Sequence, residues 1–439
     1  MRSRRLWACL ILILLSLGPW AAAARGDEWY EISKGGLRTT EEGRYAEAEQ
    51  LFREALELSL ERGDGDPRQA TSVNNLAYVL HIQGRYAAAE PHYRNALAMR
   101  EASLGPKHPD VAQSLNNLAE LYRALARYDE ALPLHLRALR IREDAFGPDH
   151  PEVAQSQNNL GVLYAGEARY EEAQALYEKA LKTRIRSFGE DHLTTAETRN
   201  NLATLSYARG RLDEAQQLYE RALAAEEKAL GPAHPSVATT LSNLAELQRA
   251  KEHHEKAIEL HRRALEIREH ALGPEHPETA QSLNNLAVAY YDSSNFEKAE
   301  ALYRRSIAIK EKVLGPEHPE LALTLNNLAE LYRTLKRLDE AELLYNRALE
   351  IDRHAFGPDH PSLALALNNL ALLKYDRGSY VQAESLLRRA LEIERQALGE
   401  DDPDLITTLE NYATVLRELR KHAEADEAEA RANALRAQL

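Results

Sequence analysis

Between His108 and Gly147 the apolar residues Val111, Leu115, Leu118 and Tyr122 follow one another at steps of four, three and four. That spacing places them on one face of a helix with 3.6 residues per turn. Pro109 suits the first helical position, and Asp110 favours the positive end of the helix dipole. A second stripe, Tyr128, Ala131, Leu134, Ala138, Ile141 and Ala145, runs on to Gly147. Glycine there can close a helix in a backbone conformation that other side chains resist. The stretch therefore predicts two helices joined by a short turn.

The same unit returns along the chain. Asn-Asn-Leu or a close relative starts at Asn74, Asn116, Asn158, Asn200, Ser242, Asn284, Asn326, Asn368 and Glu410, always 42 residues apart. Glycines at 105, 147, 189, 231, 273, 315, 357 and 399 keep the same step, so the two markers define one structural unit. Neither helix of a unit has enough apolar surface to fold alone. Each hairpin must stack on its neighbours, which makes the array a solenoid. Ala119, Ala131 and Ala138, repeated as Ala329, Ala341 and Ala348, allow helices to approach at the close end of the usual range of about 8 to 10 Å.

Leu118, Ala119, Tyr122, Ala131 and Ala138 have the spacing of the tetratricopeptide repeat, which the chain resembles over residues 67–439. With LNNLA and LGPxHP in a 42-residue unit, it is similar to the repeats of kinesin light chains and their bacterial relatives. The resemblance implies an all-α fold, a right-handed superhelical solenoid of tandem helix-turn-helix repeats. The family's common unit is about 34 residues. Shared equally, the extra residues lengthen both helices alike. Residues 28–66 read as a degenerate leading repeat, with Gly43, Arg44, Tyr45, Ala48, Phe52 and Ala55 matching a second helix. Residues 67–439 then hold nine tandem repeats, the last acting as a cap.

In the family, the first helix of each repeat lines a concave groove. The matching positions here include Asn116, Asn158, Asn200, Asn284, Asn326 and Asn368. Amides both donate and accept hydrogen bonds, so such a row suits a peptide backbone of any sequence. The other reading is that one asparagine of each pair bonds an adjacent repeat. One turn further on the residues vary, with Arg123, Tyr207, Arg249, Tyr291, Arg333 and Tyr375 among them. Arginine and tyrosine are enriched in binding hot spots. Glu120, Glu246 and Glu330 stand three residues before Arg123, Arg249 and Arg333, which also fits ordinary ion pairs on a helix.

The regular histidines, from His108 to His360, belong to successive repeats at least about 10 Å apart, too far to share one zinc ion. They dress the turn before proline. No phosphate-cradling loop, nucleophile elbow or isolated pair of carboxylates stands out, and almost every polar residue recurs with the repeat. The chain is read as no enzyme, with no cofactor, and as a protein-protein interaction scaffold taking peptide segments of partner proteins. A structural or membrane-tethered component of an envelope complex is the alternative.

Charge and the first residues set the compartment. Arg2, Arg4 and Arg5 precede an apolar run from Leu6 to Leu17 and small residues Ala21 to Ala24. That is the layout of a signal peptide over residues 1–24, with an apolar stretch shorter than the roughly 20 residues of a bilayer span. It predicts an exported chain, periplasmic or secreted, or one anchored by an uncleaved segment. Loss of three arginines takes the net charge from −14 to −17 and removes Cys9, the one cysteine. An acidic chain repels phosphate backbones and anionic headgroups, so neither nucleic acid nor membrane is an expected partner beyond such an anchor.

Overall fold

The computed structural model describes residues 27–437 except 62, 64–65 and 403–404. The expected leader, residues 1–24, lies outside the described residues. Among the described residues the chain forms twenty helices in ten hairpin pairs, with no strand. The first helices of the pairs are α1 (Glu28–Glu41), α3 (Pro67–Ile82), α5 (Pro109–Ala124), α7 (Pro151–Gly166), α9 (Leu193–Ala208), α11 (Pro235–Ala250), α13 (Pro277–Asp292), α15 (Pro319–Thr334), α17 (Pro361–Asp376) and α19 (Leu405–Glu418). The second helices are α2 (Tyr45–Leu60), α4 (Tyr86–Leu104), α6 (Tyr128–Phe146), α8 (Tyr170–Phe188), α10 (Leu212–Leu230), α12 (His254–Ala271), α14 (Phe296–Val313), α16 (Leu338–Phe356), α18 (Tyr380–Leu398) and α20 (His422–Arg436). The extra length is not shared equally. In pairs 2 to 9 the first helix has 16 residues and the second 18 or 19.

The histidine row has a definite task. In all seven pairs from α5 to α17 the N-cap is a histidine whose Nδ1 accepts a hydrogen bond from the backbone N–H two residues on, at 3.1 to 3.3 Å. It satisfies one of the orphan donors that Ser, Thr, Asp or Asn usually serves. At α1 and α3 Asp27 and Asp66 do the same work.

Small residues make the close packing possible. Ala119, Ala131, Ala138, Ala329, Ala341 and Ala348 are fully buried. At five joints a buried basic residue near the end of the second helix then pins one pair to the next. Arg100 donates to Ser114 Oγ at 2.8 Å, Arg142 to Ser156 Oγ at 3.0 Å, Arg184 to Thr198 Oγ1 at 2.7 Å, Arg268 to Ser282 Oγ at 2.7 Å and Lys310 to Thr324 Oγ1 at 3.2 Å. Three joints carry an acid at this position instead, Glu226, Asp352 and Glu394, and all three are buried.

The array curves with the first helices inside. Each first helix from α3 onward touches the next first helix, α3 with α5, α5 with α7 and so on to α19. Second helices do not come as close to one another, as expected of the outer layer of a bend. The curvature is tight enough for the superhelix to meet itself. His276, His318 and His360 donate through Nε2 to the carbonyl oxygens of Glu41, Ile82 and Ala124 at 3.2, 2.9 and 3.3 Å, across 235 or 236 residues. These acceptors end α1, α3 and α5, where carbonyls lack helical partners. Because Nδ1 accepts at the N-cap, the proton sits on Nε2, so one tautomer serves both bonds.

Pairs 1 to 3 therefore lie against pairs 7 to 9, and one turn takes about six pairs. Gly43 and Gly84 sit in this seam with φ of 73° and 70°, and a β-carbon on either would stand 2.7 or 2.4 Å from Cδ of Pro277 or Pro319. Tyr86 stacks on Phe356 across the same seam, ring centroids 5.3 Å apart.

Candidate binding surface on the first helices

The first asparagines of the pairs are shut inside. Asn116, Asn158, Asn284, Asn326 and Asn368 are buried, and Asn200 is half-buried. A helix repeated every 42 residues brings the second asparagine of one pair against the first of the preceding pair. Asn117 Nδ2 donates to Asn74 Oδ1 at 2.9 Å, Asn201 to Asn158 at 2.9 Å, Asn327 to Asn284 at 3.0 Å and Asn411 to Asn368 at 2.8 Å. Asn116 Oδ1 turns instead to His135 Nδ1, 2.9 Å away. Asn200 donates to Glu226 and Thr240. The reading that these first amides meet a guest gives way to the other reading, a hydrogen-bonded ladder inside the stack.

The second asparagines divide along the chain. Asn75, Asn117, Asn159 and Asn201 are buried, whereas Asn243, Asn285, Asn327, Asn369 and Asn411 are partly exposed on the inner layer. Gln281, Leu323 and Leu365 are partly exposed on the same helices, four residues before Asn285, Asn327 and Asn369 and so one turn away on the same side. The rung to Asn284 uses one N–H of Asn327, leaving its carbonyl and other N–H for a guest, while Asn285 Oδ1 accepts from Gln281 and Asn284 and leaves its own N–H groups.

The variable row is also tied between pairs, by contacts reaching 43 residues along the chain. Arg249 reaches Asp292 at 2.6 Å, Tyr291 OH lies 2.9 Å from Thr334 Oγ1, Arg333 reaches Asp376 at 2.9 Å and Tyr375 OH donates to Glu418 at 3.3 Å. Tyr207 is buried, and Arg123 donates to Glu120 Oε2 at 2.8 Å. Glu246 and Glu330 hold Arg249 and Arg333 as the three-residue spacing predicts. Arg249, Tyr291, Arg333 and Tyr375 nevertheless keep part of their surface open.

Two residues outside the expected set shape this wall. His135 and His261 are buried where other second helices have Tyr93, Tyr177, Tyr219, Tyr303 and Tyr345. Their Nε2 atoms lie 3.3 and 3.4 Å from Glu120 and Glu246. Burial pushes both carboxyls up, but the arginine and histidine beside each outweigh it and hold them at about 2. The sequence signal was present, a break in a tyrosine column, but it lay on the second helix. Among the described residues no three His, Cys, Asp or Glu side chains gather as a metal site. None of their helices is long and apolar enough to cross a membrane.

Tandem hairpins with one helix layer inside and an amide ladder through it define an α-solenoid, a class that offers one continuous surface in place of a pocket. The tetratricopeptide repeat family matches over residues 36–102, 68–144, 110–186, 153–225, 194–270, 237–312, 278–354, 321–393 and 362–438. The chain belongs to that family, whose members act as protein-interaction scaffolds. No curated protein matches it significantly. Among solved structures it is similar to BtubC (BKLC) from P. vanneervenii, at 22% identity over 54% of this chain and 92% of that one, TM-score 0.41. A putative kinesin light chain of Podosopora anserina with nearly identical TPR-like repeats shares 27% identity over 47% and 97%, TM-score 0.40. The apo form of RapI shares 16% over 64% and 97%, TM-score 0.47.

Proposed function

We propose that the chain is an interaction scaffold that holds an extended segment of a partner protein along the inner wall of pairs 6 to 10. The observation that carries this is the change in the second asparagines, from buried in pairs 2 to 5 to partly exposed from Asn243 onward. A row of carboxamides with unused hydrogen-bonding capacity matches a polypeptide backbone, which offers a donor and an acceptor at nearly every residue. Leu323, Leu365 and Leu372 stand among these amides and would take apolar side chains of the guest, while Arg249, Tyr291, Arg333 and Tyr375 border it. The guest is a peptide segment, and neither a reaction nor a cofactor enters. The leader-like residues 1–24 support action outside the cytoplasm.

A photo-crosslinking residue placed at Asn327 and irradiated in cells should attach a partner polypeptide. Replacing Asn285 and Asn369 by Ala should reduce that yield several-fold without changing helix content. Equal yields with and without the two amides would remove the inner wall as the binding surface.

A further inference from the structure

The seam between successive turns also describes a surface that is left open. Each histidine of the N-cap row has the same local geometry, but only His276, His318 and His360 lie under the preceding turn. His108, His150, His192 and His234 form the continuation of the same edge, and no partner for their Nε2 atoms stands among the described residues. Phe356 stacks on His360 at 4.2 Å and receives Tyr86 on its other side. Phe146 stacks on His150 at 4.7 Å and Phe188 on His192 at 4.5 Å in the same way, yet nothing covers them, and they are 41% and 44% exposed. Large exposed aromatics at the edge of a packed seam mark an interaction site.

We propose that this edge docks a second copy of the chain, end to end, by repeating between molecules the seam that each molecule makes within itself. The register follows from the structure: pair 8 sits on pair 2, so each pair rests on the one six positions earlier. Ten pairs leave the far edges of pairs 5 to 10 and the near edges of pairs 1 to 6 to meet across the junction. Phe146 then comes against Phe296 of the second copy, Phe188 against Leu338, and Leu230 against Tyr380. These three equivalents of Phe356 against Tyr86 are apolar on both sides, while Leu104 and Leu272 come against His254 and His422. His108, His150 and His192 reach the last carbonyls of α13, α15 and α17, as His276, His318 and His360 reach those of α1, α3 and α5.

The junction is looser than the internal seam. Gly84 leaves its proline no room for a β-carbon, whereas Ser294 and Lys336 occupy that turn position in pairs 7 and 8. Ala126 shows that a β-carbon is accommodated there, with the histidine bond kept at 3.3 Å. The association is therefore reversible and, being head to tail, open-ended. The net charge of −14 opposes it, so added salt should favour it.

Sedimentation velocity of the full chain should show its mass rising past a dimer between about 1 and about 200 µM. Phe146→Ala with Phe188→Ala should weaken the association at least tenfold, with helix content and melting unchanged because both rings are exposed. Ser294→Arg blocks the opposite edge. Mixed with the double phenylalanine variant, it should form dimers and nothing larger, because each molecule keeps one live edge. A monomer at every concentration would overturn the proposal. Association that the phenylalanine changes leave intact would overturn it as well.

Discussion

The joint between pairs 4 and 5 and the joint between pairs 5 and 6 use the same helices in the same register, yet opposite charges hold them. At the first, Arg184 is almost wholly buried and donates to Thr198 Oγ1 and the Thr194 carbonyl, both at 2.7 Å, with Glu197 3.2 Å away. At the second, Glu226 accepts from Thr240 at 2.7 Å and from Asn200 at 3.0 Å, with no cation in contact. Burial pushes Glu226 up to about 7, and its hydroxyl and amide donors only partly offset that. The change reaches the amide ladder. Asn201 donates to Asn158 across the basic joint, whereas Asn200 turns to Glu226 and the equivalent rung to Asn243 is not made. Asp352 is likewise pushed up to about 7 by burial, and at that joint Asn326 Oδ1 has no partner among the described residues. At these two joints the acid goes with a missing rung, whereas the Glu394 joint keeps its rung from Asn411 to Asn368 and the basic Arg142 joint has none because Asn116 turns to His135, so charge and ladder vary joint by joint. Solenoid stability is a sum of local units and their interfaces, so a loose joint stays local.

The contrast is tested most severely by removing the base. Arg184→Met leaves Glu197 buried without its cation and Thr194 without its donor. Breaking a buried pair from one side costs about 3 to 5 kcal/mol. Amide hydrogen exchange in α8 and α9 should accelerate accordingly, while α13 to α17 keep their protection. Uniform acceleration along the chain would mean that the joints are not separate units.

At the acidic joint the expected sign is opposite and depends on pH. The folded-state value of Glu226, about 7, lies above the ordinary 4.5, so the folded chain prefers the protonated acid. The joint is fully stable below about pH 4.5 and loses stability as pH rises through 7. Glu226→Gln keeps the size and removes the charge. Near pH 8 it should slow exchange in α10 and α11 by an amount worth about 2 kcal/mol, a difference that fades toward pH 4.5. A constant difference at all pH values would show that the carboxyl does not titrate in this range.

Much of this architecture was legible in the sequence because it repeats. The 42-residue step gave the hairpins, Ala119 and Ala131 gave the close packing, and Pro109 gave a helix start that the structure places at the predicted residue. What stayed hidden depends on curvature. No local pattern says that pair 8 returns to pair 2, because the return distance of 236 residues is set by small angles summed over six joints. The histidines therefore read as turn dressing, although their caps and the seam give them two bonds each in the second turn. The asparagine pair was ambiguous for a related reason. Which amide faces inward depends on a rotation of the helix of about 100° per residue, and only the packed structure fixes it. His135 and His261 interrupt a column on the second helix, whereas the groove positions repeat on the first, so the sequence pattern does not tie them to this wall.

The smallest expected effect separates the two kinds of joint most cleanly, because it compares one substitution in two places. Asn201→Ala removes a rung and leaves Asn158 Oδ1 buried without its donor, which should cost about 1 to 2 kcal/mol. Asn243→Ala, one repeat later, removes a side chain that makes no rung, is partly exposed and stands beside the acid-held joint. Its cost should fall within about 0.5 kcal/mol of zero. Thermal melting followed by exchange in α9 and α11 reads both. Equal costs would mean that the ladder contributes nothing beyond the volume of an asparagine, and that the acidic joint differs from the basic one in charge alone.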